Sequence, residues 1–251
     1  EMLKESNPLV KVLRRIEADA YSKADGIISP IPRFDKYINK RFPEIKFKFC
    51  YISQGYDETL YSGTREFEKP VGRFNICYTG LIGAANRVDV ILEAMSRIED
   101  KGIYLYLLGD GPLKETFKDR YKDCPNIVFL DPIPKKEMIQ FLKNYNLAVM
   151  AWRDMPIYEY GISPNKMIDY LVAGKPILNA YNGYRDILEE NNCGQFVDAN
   201  DPEMLAEAMV TFSKMDKEQL ELMGKNGQRY VKGKMNFSYL AKKLLTFIGE
   251  V

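Results

Sequence analysis

The sequence contains no histidine, and that absence removes several chemistries at once. Without an imidazole there is no Ser-His-Asp or Cys-His nucleophile pair, no zinc helix of the HExxH type and no histidine acid or base. Cysteine is scarce and scattered: Cys50, Cys77, Cys124 and Cys193 form no CxxC pair. Most of them lie in or beside apolar stretches, where a free thiol behaves as a small core residue. A structural role for these thiols therefore outweighs a metal or redox one. No run approaches the roughly 20 apolar residues that span a bilayer, and no signal peptide opens the chain. These absences together imply a reducing, cytoplasmic setting. Net charge is missing too: 36 basic against 35 acidic residues leave +1, which gives no reason to expect nucleic acid.

What is present is an ordinary globular composition, 46% hydrophobic and 28% charged over 251 residues. Asn7 and Pro8 are placed to cap and start a helix carrying Leu9, Leu13, Ile16 and Ala20, which Asp25-Gly26 ends. Ile27-Ile28 predicts a short strand stopped by Pro30 and Pro32, and a short helix follows around Phe34 to Ile38. Ile45, Phe47 and Phe49 alternate with lysines, the period of a half-buried strand. Gln54 to Val71 has no strong period and reads as a linker. The chain opens at Glu1 in the middle of a helical pattern and reads as a fragment.

Beyond the linker the rhythm becomes regular. Strands are predicted at Phe74 to Tyr78, Ile103 to Leu108, Ile127 to Leu130, Leu147 to Ala151, Ile177 to Ala180 and Gln195 to Val197. Helical patterns fill the gaps at Val88 to Ile98, Leu113 to Tyr121, Lys135 to Tyr145, Asn165 to Ala173 and Tyr184 to Glu190. This alternation predicts an α/β fold, a Rossmann-like doubly wound parallel sheet of about six strands. The segment from Asp201 onward reads as three helices, the last from Phe237 to Ile248. Ligands bind such sheets at the carboxyl ends of the strands, so the residues there carry the functional argument.

Four of these strand ends or their neighbours stand out. Tyr78 to Ala85, including Gly80 and Gly83, places small residues where backbone amides can approach a phosphate, or makes only a tight turn. It is not the GxGxxG of a dinucleotide site. Gly109-Asp110-Gly111-Pro112 is a turn in which Asp110 suits capping of the next helix better than contact with a ligand. Leu130 to Lys135, which includes Ile133, would line the same rim with stiff backbone suited to a flat base. Tyr158 to Pro176 is the most informative stretch. Ser163 reads as a helix cap, Pro164 as the first helical position and Gly174 as the left-handed exit. Lys166 falls in the first turn, where the helix dipole opposes a cation, so its presence makes sense beside an anion. Asp169 follows on the same face, spaced to accept from sugar hydroxyls. A solvated lysine with a neighbouring carboxylate is the plainer alternative.

Taken together, Ala24 to Ile28, Ile52 to Asp57, Tyr78-Thr79-Gly80, Gly109 to Pro112 and Lys166 to Pro176 resemble, in order and spacing, the C-terminal half of GT-B fold retaining glycosyltransferases of family 4. The resemblance implies residues 1–55 as the remnant of an N-terminal acceptor domain, 56–72 as linker, 73–235 as the nucleotide-sugar-binding Rossmann-like domain and 236–251 as a C-terminal crossover helix. Its last helix would pack back through Leu240, Leu244, Phe247 and Ile248. It implies transfer of a sugar, a UDP-sugar favoured, to a saccharide or lipid-linked acceptor in surface-polysaccharide biosynthesis, with the fragment inactive alone. Lys166 and Arg87 would grip the diphosphate and act in catalysis; Gly83, Gly109, Asp110, Ile133, Ser163, Asn165 and Asp169 would bind the donor. No D-x-D triplet appears, and neither metal nor cofactor is expected. Two departures stand out. Gly161 occupies the first and Asp169 the second place of the family's glutamate pair, and Asn86-Arg87 holds one charge where a basic pair is usual. A non-catalytic nucleotide-sugar-binding or regulatory module stays open, and a sugar-nucleotide epimerase is disfavoured by the missing histidine. Lys11, Arg14, Arg15, Lys40, Arg41, Lys46 and Lys48 fit either peripheral contact with an anionic membrane or a solvated face.

Overall fold

The computed structural model describes residues 6–250; Glu1 and Val251, where the fragment reading and the last residue of the crossover helix fall, lie outside them. The chain runs α1 (Pro8–Lys23), β1 (Ile27–Ser29), α2 (Phe34–Arg41), β2 (Phe49–Tyr51), then β3 (Phe74–Thr79), α3 (Val88–Ser96), β4 (Ile103–Leu108), α4 (Lys114–Arg120) and β5 (Ile127–Leu130). It continues through α5 (Met138–Leu142), β6 (Leu147–Ala151), α6 (Asn165–Val172), β7 (Ile177–Ala180), α7 (Ile187–Glu190) and β8 (Gly194–Val197) to α8 (Pro202–Lys214), α9 (Lys217–Lys234) and α10 (Phe237–Glu250). Asn7 caps α1 by accepting from the Leu9 amide at 2.9 Å, and Asp216 and Gln219 close a reciprocal box at the start of α9.

Strands β3 to β8 form one parallel sheet in the order β5-β4-β3-β6-β7-β8. Every side chain of β3 and β6 is buried, as a parallel sheet covered on both faces requires. One face packs through Ile91, Met95, Leu105 and Phe212 under α3 and α8, the other through Tyr145, Tyr170, Leu171 and Val231 under α5, α6 and α9. The strand order reverses between β3 and β6. There only Ile76 pairs with Leu147 and Cys77 with Ala148, whereas β3 and β4 pair over six residues. Past that short ladder the Thr79 amide donates instead to the Tyr170 hydroxyl at 2.8 Å, so a helix side chain stands where a strand partner would be. In such sheets the crevice outside the strand ends at the switch point is the usual binding place.

Three strand and helix bounds are corrected. The strand read from Ile45 to Phe49 pairs only from Phe49, because β1 is three residues long and offers no ladder to what precedes it; Ile45 and Phe47 are half-buried but unpaired. The helix read from Lys135 begins as a 3-10 turn, and α7 starts at Ile187 because Asp186 caps it there. The linker is laid down as a strap. Tyr56 bridges to Asn236 and is buried, the Gly63 amide donates to the Lys136 carbonyl at 3.0 Å, the Arg65 amide to Glu137 at 3.1 Å, Phe67 packs edge-on to Phe141, and the Val71 amide donates to the Tyr106 hydroxyl. At the chain's end Leu240 and Phe247 are buried, with Phe237 and Leu240 against Gly55, while Ile248 stays exposed.

The ends of β3 and β4 touch through backbone alone. Gly109 has φ +156°, and a Cβ there would stand 1.9 Å from the Gly80 carbonyl oxygen. Gly109→Ala is expected to destabilise by about 3 kcal/mol, which for a chain of this size lowers Tm by roughly 6–12 °C in a thermal melt.

Candidate functional site

Three turns build the rim of the crevice, and they are zipped together. The Gly80 amide donates to the Leu108 carbonyl at 2.9 Å, the Ile82 amide to the Asp110 carbonyl at 2.8 Å and the Gly109 amide to the Leu130 carbonyl at 3.3 Å. Behind them the buried Lys114 donates to the Leu130 carbonyl at 3.0 Å and to Asp131 at 2.8 Å, tying the third turn to α4. The rim is therefore fixed backbone, the arrangement that costs little reorganisation when a ligand arrives.

Helix α6 crosses this rim with its first turn over the crevice. Tyr170 pins it to β3, and Lys166, four residues earlier, lies against the same strand's end. The Lys166 ammonium donates to the Tyr78 hydroxyl at 2.9 Å and to Asn86 Oδ1 at 3.0 Å, and stands 4.2 Å from the Tyr78 ring centre and 5.5 Å from that of Trp152. Among the described residues no carboxylate is paired with it. Burial pushes its pKa down to about 7, with no charged partner to offset that cost. The dipole of α6 adds to the penalty. This is a cation held among neutral groups at a helix N-terminus, and an anion is what would complete it.

Asp169 turns elsewhere. Its carboxylate is buried, and Oδ1 accepts from the Tyr61 hydroxyl of the strap at 2.7 Å and from the Lys135 ammonium, which itself lies over the Tyr61 ring. The pairing of Lys166 with Asp169 suggested by their spacing is not made. A patch of polar groups from the strap, the third rim turn and α6 thus adjoins the cation site.

The other sequence candidates divide. Gly80 rather than Gly83 makes the close approach: its φ is +127°, and a Cβ would stand 3.2 Å from Lys166 Nζ, whereas one on Gly83 would make ordinary contacts. Arg87 is not brought to the cation site. It takes φ +40° at the start of α3, and its guanidinium is bound to Asp89 at 3.1 Å and to Asn200 at 3.1 Å, so Asn86 faces Lys166 in its place. Asp110 does not cap α4, which starts four residues on; its carboxylate accepts from the Gly111 amide and is exposed. Ser163 is not the cap of α6 either. Pro164 stands at that position, and the Ser163 carbonyl accepts from Gln54 at 3.0 Å. Asn165 is exposed in the first turn, and Ile133 is half-buried on the apolar cluster beneath the rim. Gly161 has φ +105°, and a Cβ would meet Pro32 at 2.5 Å, so no glutamate fits there.

Residues 73–214 match the family of glycosyl transferases group 1. The chain belongs to that family. The Bacillus subtilis (strain 168) protein TuaH, named for a glycosyltransferase of teichuronic acid biosynthesis, is 22% identical over 173 residues, 67% of this chain. This chain spans only 43% of that protein's length. Sucrose-phosphate synthase of Thermosynechococcus elongatus superposes with TM-score 0.74 at 17% identity, over 98% of this chain and 63% of its own. Anabaena HepE, solved in complex with UDP and glucose, superposes with TM-score 0.69 at 13% identity, over 100% and 70% respectively. The six-stranded parallel sheet flanked by helices matches the Rossmann-like domain of GT-B transferases. Among the described residues of this glycosyl transferases group 1 chain, no helix is long and apolar enough to cross a membrane.

The buried cation sets a pH dependence. Lys166 holds its proton less well folded than unfolded, so between about 7 and 10.5 the unfolded chain binds more protons and stability rises with pH. Below about 7 both states are protonated and the full penalty applies. Lys166→Met is therefore expected to raise Tm near pH 7 by an amount that shrinks toward pH 10, measured by paired thermal melts of the two chains.

Proposed function

We propose that this chain is the donor-binding half of a retaining family 4 glycosyltransferase that moves a sugar from a nucleotide sugar to a saccharide or lipid-linked acceptor. The observation that carries the reading is Lys166, a cation with neutral partners at the first turn of α6, over the switch-point crevice. As the sugar–phosphate bond breaks, negative charge builds on the departing nucleoside diphosphate. Lys166 and the amides of Ser163, Asn165 and Lys166 stabilise that charge, each well-placed donor lowering the barrier by about a few kcal/mol. The reading assigns this work to protein groups and needs no metal. Asp169 serves the ribose beside it, sharing its carboxylate with Tyr61 and Lys135. The complex of HepE with UDP and glucose supports UDP as the carrier, and the name of TuaH supports a surface polysaccharide as the product class.

Contact with a membrane is the second part of the proposal, and the surface of α1 favours it. Leu9, Val12, Leu13 and Ile16 are all more than half exposed beside Lys11 and Arg15. Lys40 and Arg41 contribute less, being engaged with Glu159 and Glu17. An apolar stripe edged with cations suits the inner face of an anionic membrane carrying a lipid-linked acceptor.

Two measurements test these readings. In calorimetric titration UDP is expected to bind more tightly than ADP, GDP or CDP, and Lys166→Ala is expected to weaken UDP by at least about tenfold; a chain that ignores all four diphosphates defeats the donor reading. In liposome flotation the chain is expected to float with vesicles containing anionic lipid and to stay down with neutral ones, and Leu13→Asp is expected to abolish the difference.

A further inference from the structure

An ammonium group has three N–H bonds in fixed tetrahedral directions. Two of those on Lys166 are committed, to the Tyr78 hydroxyl and to Asn86 Oδ1. Both acceptors are themselves oriented by one atom. The Tyr78 hydroxyl donates to the Leu81 carbonyl at 2.7 Å, and Asn86 Nδ2 donates to the same carbonyl at 3.1 Å. The Leu81 carbonyl therefore turns the phenolic proton away from Lys166 and sets which end of the Asn86 amide faces it. Each acceptor is presented to the ammonium with its lone pairs free, and neither carries charge. The remaining N–H is left open beside Gly80, whose missing side chain keeps that approach clear.

The geometry points to Tyr78 and Asn86 as positioning residues that aim the third N–H of Lys166 at the diphosphate of the donor, an inference that rests on the donor reading above. Neutrality is part of the task. A carboxylate in either place would satisfy the ammonium completely and compete with the incoming anion; a group with no acceptor would leave the chain free to swing. Orientation by the Leu81 carbonyl means that the aim is built into the β3–α3 turn before any ligand arrives, and the polar cradle replaces the ion pair that a buried lysine ordinarily takes.

Asn86→Asp tests this directly, because it keeps the shape and adds a charge facing the ammonium, giving up only the Nδ2 donation to the Leu81 carbonyl, one neutral hydrogen bond that a buried ion pair outweighs. The variant is expected to hold or raise the Tm of the free chain, by pairing the buried cation, while weakening UDP by at least about 30-fold in calorimetric titration. Tyr78→Phe keeps the ring against Lys166, removes one acceptor, and is expected to weaken UDP about fivefold. A structural role alone would lower stability and affinity together, so a reduced Tm for Asn86→Asp overturns the inference, as does UDP binding within about twofold of wild type. If Asn86→Asp does not fold, unchanged UDP affinity in Tyr78→Phe overturns it and a weakened one with wild-type Tm sustains it. A wild-type chain that fails to bind UDP removes the donor reading and this inference together; wild-type binding with unaltered variants removes the inference alone.

Discussion

The early parting of β3 and β6 is the constraint on which the rest of the site depends. Two residue pairs join these strands at the centre of the sheet, and beyond Cys77 and Ala148 they run apart. An unpaired strand end in the middle of a buried sheet would leave its amide unsatisfied, at a cost of about 1–3 kcal/mol. Tyr170 supplies the missing acceptor with its hydroxyl, and in doing so fixes α6 against β3. One turn of helix earlier, Lys166 then has no choice but to lie along the end of β3, among Tyr78, Asn86 and Trp152. A backbone requirement at Thr79 therefore decides where a cation sits. The rim glycines serve the same geometry, since the turns after β3 and β4 meet with no room for a side chain between them.

Much of this was legible in the sequence because buried parallel strands are short apolar runs bounded by glycine and proline. All six strands of the sheet coincide with short apolar runs, though β6 lacks the flanking glycine or proline, and Lys166 is conspicuous as a lysine in the first turn of a helix. The strand expected over Ile45 to Phe49 shows the limit of that rule: alternation records which side chains face inward, while the ladder requires a partner of equal length. The site was legible only in part for a related reason. Hydrogen-bond partners such as Tyr61 for Asp169 lie 108 residues away in a stretch with no period, and nothing local marks them. Arg87 had the right charge and the right place in the chain, but Asp89, two residues on, captures its guanidinium. Asn86 carried no charge to draw attention and is the residue that reaches Lys166.

The linker, laid down as a strap, changes how the two ends of the chain relate. From Tyr56 to Val71 it is held at successive points by α5 and the turn before it, Tyr106 of β4 and the turn before α10. It also lays Tyr61 on the carboxylate of α6, so the segment leading into the sheet domain is itself part of the polar surface beside the crevice. Residues 8–55 join that rigid run at Gln54 and Gly55, where Gly55 is closed over by Phe237 and Leu240. The two parts thus meet at a short joint rather than a loose tether, and they are tied again beyond it where the Arg33 amide donates to the Tyr160 carbonyl at 3.0 Å and Lys40 pairs with Glu159 at 2.8 Å.

Trp152 is the sole tryptophan in the chain, and it stands directly after β6 at the same strand end as the cation. Its indole Nε1 is buried without a partner, and its ring is 5.5 Å from the Lys166 ammonium. Indole emission responds to nearby charge and to the polarity of what its N–H meets. The tryptophan emission of this 251-residue chain consequently originates at one strand end of the crevice, which gives the chain an optical reporter placed beside its cation.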